Sequence, residues 1–191
     1  MTHKIKNYIN AHQDAINLLN DNIEVIEKIC EKVIFSLNNG GKLFFMGNGG
    51  SAADAQHLAA EFVGRFRRER KPLAAIALTT DTSILTAIGN DYGYDQVFRR
   101  QIEALATSND IVFGLSTSGN SANVIEGIKA AKSKNITTVG FLGKDGGALK
   151  NMVDMDMLIP LNETSYVQEM HILAGHIICE IVESELFDDK L

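Results

Sequence analysis

The chain has 191 residues, which at about 100–200 residues per domain means one compact domain and argues against a two-domain dehydrogenase. Hydrophobic residues make up 45% and charged residues 22%, the mixture of a globular chain able to build a core and far from disordered compositions. With Lys+Arg 18 against Asp+Glu 24 the net charge is −6, so the molecule as a whole repels nucleic acid and anionic lipid, and any anion it binds must be held locally.

Taken in chain order, Met1 to Asn10 lacks the apolar stretch of a secretory signal. Ile5, Ile9, Ile16 and Leu19 then fall near one helical face, and Ile23, Ile26, Cys30, Val33 and Leu37 form a second stripe after Asn20-Asp21-Asn22. Two amphipathic helices ending near Asn39-Gly40-Gly41 are therefore expected. Short apolar runs follow at Leu43–Met46, Ala74–Leu78, Ile111–Leu115 and Thr137–Leu142, of the kind that suits strands buried on both faces. Between them lie helix-like segments at Ala52–Val63, Ser83–Ala87, Phe98–Leu105 and Ala122–Lys132. A last strand at Met155–Ile159 and a helix from about Ser165 to Leu186 close the chain. Such alternation predicts an α/β fold, a parallel sheet with helices on both faces. Only Pro72 and Pro160 interrupt it. Cys30 and Cys179 stand far apart without a C-x-x-C pair, which excludes a disulfide framework or a four-cysteine zinc site within one chain and fits a reducing cytoplasm. No run approaches the ~18 residues of a membrane span.

In an open parallel sheet, ligands bind beyond the carboxyl ends of the strands. The loop Ser116-Thr117-Ser118-Gly119-Asn120-Ser121 stands at such an end and carries four hydroxyls in six residues. Hydroxyls and backbone N–H groups at a helix N-terminus hold a phosphate monoester without a lysine. The plainer alternative is an N-cap followed by a turn, for which one such residue suffices. No Gly-Lys-Ser/Thr ending is present, so the loop is not a nucleotide P-loop. Gly47-Asn48-Gly49-Gly50-Ser51-Ala52 formally satisfies the G-x-G-x-x-A dinucleotide pattern. The ribose-binding acid expected at the end of the next strand is missing, however, with Asp81 only inside the following loop. The dinucleotide reading is disfavoured.

His57 and Glu61 are four apart, hence on one helical face, where they can bind Zn²⁺ or act as a proton-transfer pair. A surface His/Glu pair is the alternative for an arbitrary helix. The last helix offers Gln168, His171 and His176. His171 and His176 point in different directions. Gln168 and His176 differ by about 80° around the helix and roughly 12 Å along it, so one metal takes both only with long reaches, local distortion or ligands from two chains. Arg65, Arg67, Arg68, Arg70 and Lys71 form the one dense basic run; such a run is usually a solvated loop, although Arg65 could reach a sugar phosphate.

Together the Gly47–Ser51 loop, His57 and Glu61, Asn90-Asp91-Tyr92-Gly93, the Ser116–Ser121 loop and the Gln168/His176 helix resemble the phosphoheptose isomerases, which are sugar isomerase (SIS) domain proteins. The resemblance covers nearly the whole chain. It implies a single SIS domain over residues 1–191, with a helical part at 1–40 and an α/β core plus C-terminal helix at 41–191. That core would be a flavodoxin-like, five-stranded parallel sheet in a three-layer sandwich. It also implies a cytoplasmic homotetramer that binds neither nucleic acid nor membrane. The implied reaction converts sedoheptulose 7-phosphate to D-glycero-D-manno-heptose 7-phosphate, opening ADP- or GDP-heptose synthesis for lipopolysaccharide or capsule. Residue by residue, Ser116, Ser118 and Ser121 match the phosphate-binding serines, with Thr117 and Ser51 nearby in the substrate site. Asn48, Gly49, Gly50, Arg65, Asn90, Asp91 and Gln168 match positions implicated in substrate binding. His57, Glu61, Gln168 and His176 match a site for one Zn²⁺, and Glu61 and His176 match the base and the acid. A non-enzymatic relative, a SIS tetramer that binds the replication initiator protein, is the competing implication. The intact His57/Glu61/Gln168/His176 set favours the enzyme, since a scaffold has no physical need of it.

Overall fold

The computed structural model describes residues 1–187. Five strands form one parallel sheet: β1 (Leu43–Gly47), β2 (Ala75–Ala77), β3 (Ile111–Ser116), β4 (Thr137–Gly143) and β5 (Met155–Ile159). Their order across the sheet is β2-β1-β3-β4-β5. The helices are α1 (Thr2–Asn17), α2 (Ile23–Asn38), α3 (Gly50–Val63), α4 (Thr82–Tyr92), α5 (Arg99–Leu105), α6 (Ala122–Ser133) and α7 (Thr164–Phe187). This is the expected three-layer sandwich.

Strand side chains divide by parity, as the pleat requires. Leu43 and Phe45 join Phe113, Phe141 and Met157 in a core covered by α2, α3 and α7. Phe44 and Met46 join Val112 and Leu142 in a second core covered by α5 and α6. The central strands are buried throughout, in keeping with their unbroken apolar runs. The edge strand β2 differs: Ile76 is 37% exposed, and α4, which follows it in the chain, buries no residue. The stripe of α1 differs too. Of that helix only Ala15 is buried, while Ile5, Ile9 and Ile16 remain about half exposed. In α2 the buried positions are Ile26, Ile29, Cys30, Val33 and Ser36, with Ile23 left open.

The sheet order places the chain's reversal between β1 and β3, which lie side by side with Gly47 paired to Leu115. At such a switch point the loops leaving the two strands diverge and open a crevice. α3 begins at Gly50, two residues before the apolar pattern announces it, because Gly49 takes a φ of +55° and turns the chain directly off β1. α4 runs five residues further than its apolar pattern, to Tyr92, and stops at Gly93 with φ +94°. Asp81 accepts a hydrogen bond from the Ile84 N–H at 2.9 Å, so this acid is a helix cap and not a ribose ligand.

Candidate active site

The crevice between β1 and β3 is flanked by the N-termini of α3 and α6. Neither has a side-chain cap: Gly49 precedes α3, and the hydroxyl of Ser121 before α6 makes no capping bond. Ser121 Oγ instead meets Ser116 Oγ at 2.9 Å, and Ser118 Oγ lies 3.5 Å from Ser116 Oγ. The three serines therefore face one another across the loop rather than serving the helix, which removes the plain N-cap alternative. Gly119, at φ +65°, brings the loop against Gly146, where a Cβ would collide with the backbone. Asn120 Oδ1 accepts from the Ala148 N–H at 3.0 Å, and Leu149 N–H donates to Gly119 O at 3.0 Å. The loop is thus braced from behind and within, the Gly119 N–H donating to Ser116 O at 3.0 Å and the Asn120 N–H to Ser118 Oγ at 3.2 Å, while its three serine hydroxyls converge on one another. Ser51 is buried in the first turn of α3, and Thr117 is partly exposed within the serine loop.

Along α3, His57 and Glu61 approach to 3.4 Å (Nε2 to Oε1). His176 comes from α7 and sets its Nε2 2.8 Å from His57 Nε2, with Phe66 packed on its ring at 5.5 Å. The close approach of the helices depends on Gly175, where a Cβ would lie 2.5 Å from Leu58 Cδ2. Burial, and then the neighbouring His57, pull the His176 pKa below its ordinary value against the opposing pull of Glu61. Gln168, two turns earlier on α7, lies instead against Gly50 and reaches Asp54 Oδ1 at 3.5 Å. The structure thus gathers His57, Glu61 and His176, and holds Gln168 at the other end of the same α3–α7 seam.

Two imidazoles, a carboxylate and a carboxamide are a donor set that suits zinc. The facing histidine nitrogens are closer than the roughly 3.3 Å that two imidazoles on one tetrahedral ion keep, and they are hydrogen-bonded to each other. Accordingly, no group of three His, Cys, Asp or Glu among the described residues is disposed as a metal cage. The donor chemistry fits the ion; the side chains of the single chain are paired with one another.

Other expected residues lie further out. Arg65 is exposed, its guanidinium turned to Arg67 O at 3.3 Å and to Glu69 at 3.8 Å. The basic run is not uniformly a solvated loop, for the Arg70 side chain is 2% exposed. Asn90 donates to Asp91 Oδ1 at 2.8 Å on the exposed last turn of α4, and the turn beyond them sends Tyr94 back to Asn48. Three participants escape sequence reasoning. Asp54 is a buried carboxyl whose Oδ2 lacks a partner, and burial raises its pKa despite the Gln168 bond and the nearby His57. Asn123 and Tyr94 both bond Asn48. A polar residue three before His57, hence on its face of α3, was the available signal for Asp54; Asn123 and Tyr94 left none without the fold.

A five-stranded parallel sheet with a serine nest at its switch point defines a sugar-phosphate-binding domain of the SIS class, and the SIS domain family model matches residues 7–143. That match ends before α7, but full-length relatives cover the helix. The phosphoheptose isomerase of Aliarcobacter butzleri is 51% identical over 95% of this chain and 96% of its own. That of Geotalea daltonii is 50% identical over 100% of both. Among solved structures, phosphoheptose isomerase from Neisseria gonorrhoeae superposes with a TM-score of 0.91 at 42% identity, covering 96% of this chain and 98% of that one. The enzyme from Francisella tularensis does so with a TM-score of 0.92 at 35% identity and the same coverage. The chain belongs to the phosphoheptose isomerase family of SIS domain enzymes.

Proposed function

We propose that the chain is an aldose–ketose isomerase that converts sedoheptulose 7-phosphate to D-glycero-D-manno-heptose 7-phosphate and so supplies heptose for a surface polysaccharide. The observation that carries this reading is the presence in one fold of an uncapped serine nest at the switch point and a carboxylate–imidazole cluster further along the α3–α7 seam. The first holds a phosphate ester and the second moves protons.

Moving a carbonyl from C2 to C1 requires loss of a carbon-bound proton, an enediolate, and return of a proton to the neighbouring carbon. Glu61 takes the proton from C1 as general base, and His176 acts as general acid. A depressed pKa leaves His176 neutral near pH 7, with one ring N–H to donate. The serine nest anchors the far end of the sugar, so its binding energy serves to orient C1 and C2. His57, Glu61, Gln168 and His176 would hold one Zn²⁺ once the two histidines turn from each other to the ion and Gln168 is brought to it by a local distortion or from a second chain. When bound, the ion polarises the oxygens on the reacting carbons.

The assembly is proposed to be a cytoplasmic homotetramer. Supporting it, α1 and α2 expose Ile5, Tyr8, Ile9, Ile16, Ile23 and Phe35. An apolar groove of about 790 Å³ runs between α2 and α7. No described helix is long and apolar enough to cross a membrane.

Incubating the ketose phosphate with metal-replete protein in D₂O tests the reading. Aldose carrying deuterium at C2 is expected. Glu61→Gln keeps the shape but removes the base, so turnover should fall roughly 10²–10⁴-fold while sugar phosphate still binds. Failure to form aldose from several ketose phosphates overturns the isomerase and favours a protein-binding tetramer.

A further inference from the structure

Asn48, at the exit of β1, and Asn123, in the first turn of α6, form a reciprocal amide pair across the switch point. Asn48 Nδ2 donates to Asn123 Oδ1 at 2.8 Å, and Asn123 Nδ2 donates to Asn48 Oδ1 at 2.8 Å. Such a pair is satisfied equally well with both amides turned over, so something else must choose. The Val124 N–H makes that choice. It lies 3.0 Å from Asn123 Oδ1, and a backbone N–H can only donate, so the atom it meets is an oxygen. With Asn123 fixed, Asn48 is fixed as well. The Tyr94 hydroxyl adds a second donor to Asn48 Oδ1 at 3.4 Å. Both lone pairs of that oxygen are then engaged, while Asn48 Nδ2 spends one of its two hydrogens on Asn123.

We propose that Asn123 is a positioning residue for sugar recognition: it holds Asn48 so that the crevice meets an amide N–H, and this position therefore reads a hydrogen-bond acceptor on the sugar. This rests on the sugar-phosphate reading above. Asn123 does not itself touch the sugar. It is 3% exposed, behind Asn48, and acts through it. The pair also ties the loop leaving β1 to the first turn of α6, directly after the phosphate nest, so the sugar-reading amide and the phosphate anchor are held in one frame. A carboxylate at position 123 would still accept from Asn48 and Val124 but could not donate to Asn48 Oδ1, and two oxygens would face each other.

The test is a double-mutant cycle of Asn48→Ala with Asn123→Asp, read in sugar-phosphate dissociation constants, in kcat/KM, and in inorganic phosphate affinity. Asn123→Asp should weaken sugar phosphate about 10-fold or more, chiefly in KM, and leave inorganic phosphate within about 2-fold. In the Asn48→Ala background the same change should cost less than about 2-fold, because its target is gone. Additive losses, or an equal loss for inorganic phosphate, overturn the positioning role and make Asn123 a structural residue. Should Asn123→Asp fail to fold, Asn123→Ser replaces it in the cycle under the same criteria. Tyr94→Phe, at an exposed residue, should weaken sugar phosphate modestly and lose that effect in Asn48→Ala. If wild type binds the ketose phosphate without turning it over, the isomerase reading falls and the cycle is read in binding alone. If wild type binds no sugar phosphate, both readings fall.

Discussion

His171 and His176 share a helix and differ in everything that decides a histidine's chemistry. His171 is fully buried, with its Nε2 3.1 Å from Leu142 O, so that nitrogen carries the proton and donates. Burial pushes its pKa down to about 4 from 6.5, only partly offset by the Leu142 bond. The folded state therefore binds fewer protons than the unfolded state between those values, and stability must decline as pH falls through that window. The difference of about 2.5 units corresponds to about 3 kcal/mol, fully present above pH 6.5 and lost by about pH 4. Urea titrations at fixed protein concentration across this range should show that loss in wild type and a correspondingly smaller one in His171→Phe. An unchanged slope in the variant would assign the pH dependence to other groups. The structural role of His171 was legible in the sequence only by elimination, since its five-residue offset from His176 separates their directions; the carbonyl that receives its proton comes from β4, 29 positions away.

At the scale of elements, the geometry of the site depends on how α3 is ended. Glu183 on α7 accepts the N–H groups of Phe66, Arg67 and Arg68 at 2.8–2.9 Å and the Arg70 Nε at 2.9 Å. Arg70 in turn donates to Phe62 O and Glu61 O, both at 2.8 Å. A single buried ion pair, 2% and 3% exposed, thus folds the basic segment back onto α7 and sets Phe66 against His176. Burial alone would raise the Glu183 pKa, but the three backbone donors and Arg70 outweigh it and hold it below the ordinary value. Its stabilisation is present above pH 4.5 and lost as pH falls through the lowered value. Glu183→Gln leaves Arg70 buried without its counter-charge and should cost about 3–5 kcal/mol, measured by chemical denaturation; a loss below 1 kcal/mol would mean that the segment closes without it. Gly50→Ala makes a narrower prediction. A Cβ there collides with the Gln168 carboxamide, so metal content should fall while affinity for inorganic phosphate, held by the serine loop, changes little; retained metal by elemental analysis would remove Gln168 from the ligand set. The sequence makes the strands legible because three of them lie inside the sheet, and it makes His57 and Glu61 legible because four-residue spacing is local. Glu183 and Asn123 were illegible for one reason: each owes its importance to a partner 117 or 75 positions away; Asp54 left only its spacing from His57, its other partner Gln168 being 114 positions away.

For the whole molecule, the sheet is covered on both faces, yet apolar surface remains. The α1 stripe leaves Ile5, Tyr8, Ile9 and Ile16 open, more apolar surface than one small sheet can cover, and α2 adds Ile23 and Phe35. The sheet offers no further room on that face, because α2, α3 and α7 already fill it. This surface is continuous with the groove bordered by Ile16, Leu19, Ile23, Ile26, Leu173 and Ile177, and a helix pair from a second copy would carry the same apolar residues to it. With a net charge of −6 on each chain, copies repel at long range, so association must come from apolar burial at about 25 cal/mol per Å². Light scattering on the wild-type chain is expected to give a tetramer at micromolar concentration. Ile23→Glu provides the decisive comparison. The Ile23 side chain is 59% exposed in the single chain, so the substitution should leave the subunit's own core intact, and circular dichroism should be unchanged. In the proposed assembly the same carboxylate would be buried without a counter-charge, at about 3–5 kcal/mol for each copy, enough to raise the dissociation constant at least 10²-fold and yield smaller species at the same concentration. A wild-type monomer, or a tetramer indifferent to Ile23→Glu, would place the subunit contacts elsewhere than on α1 and α2.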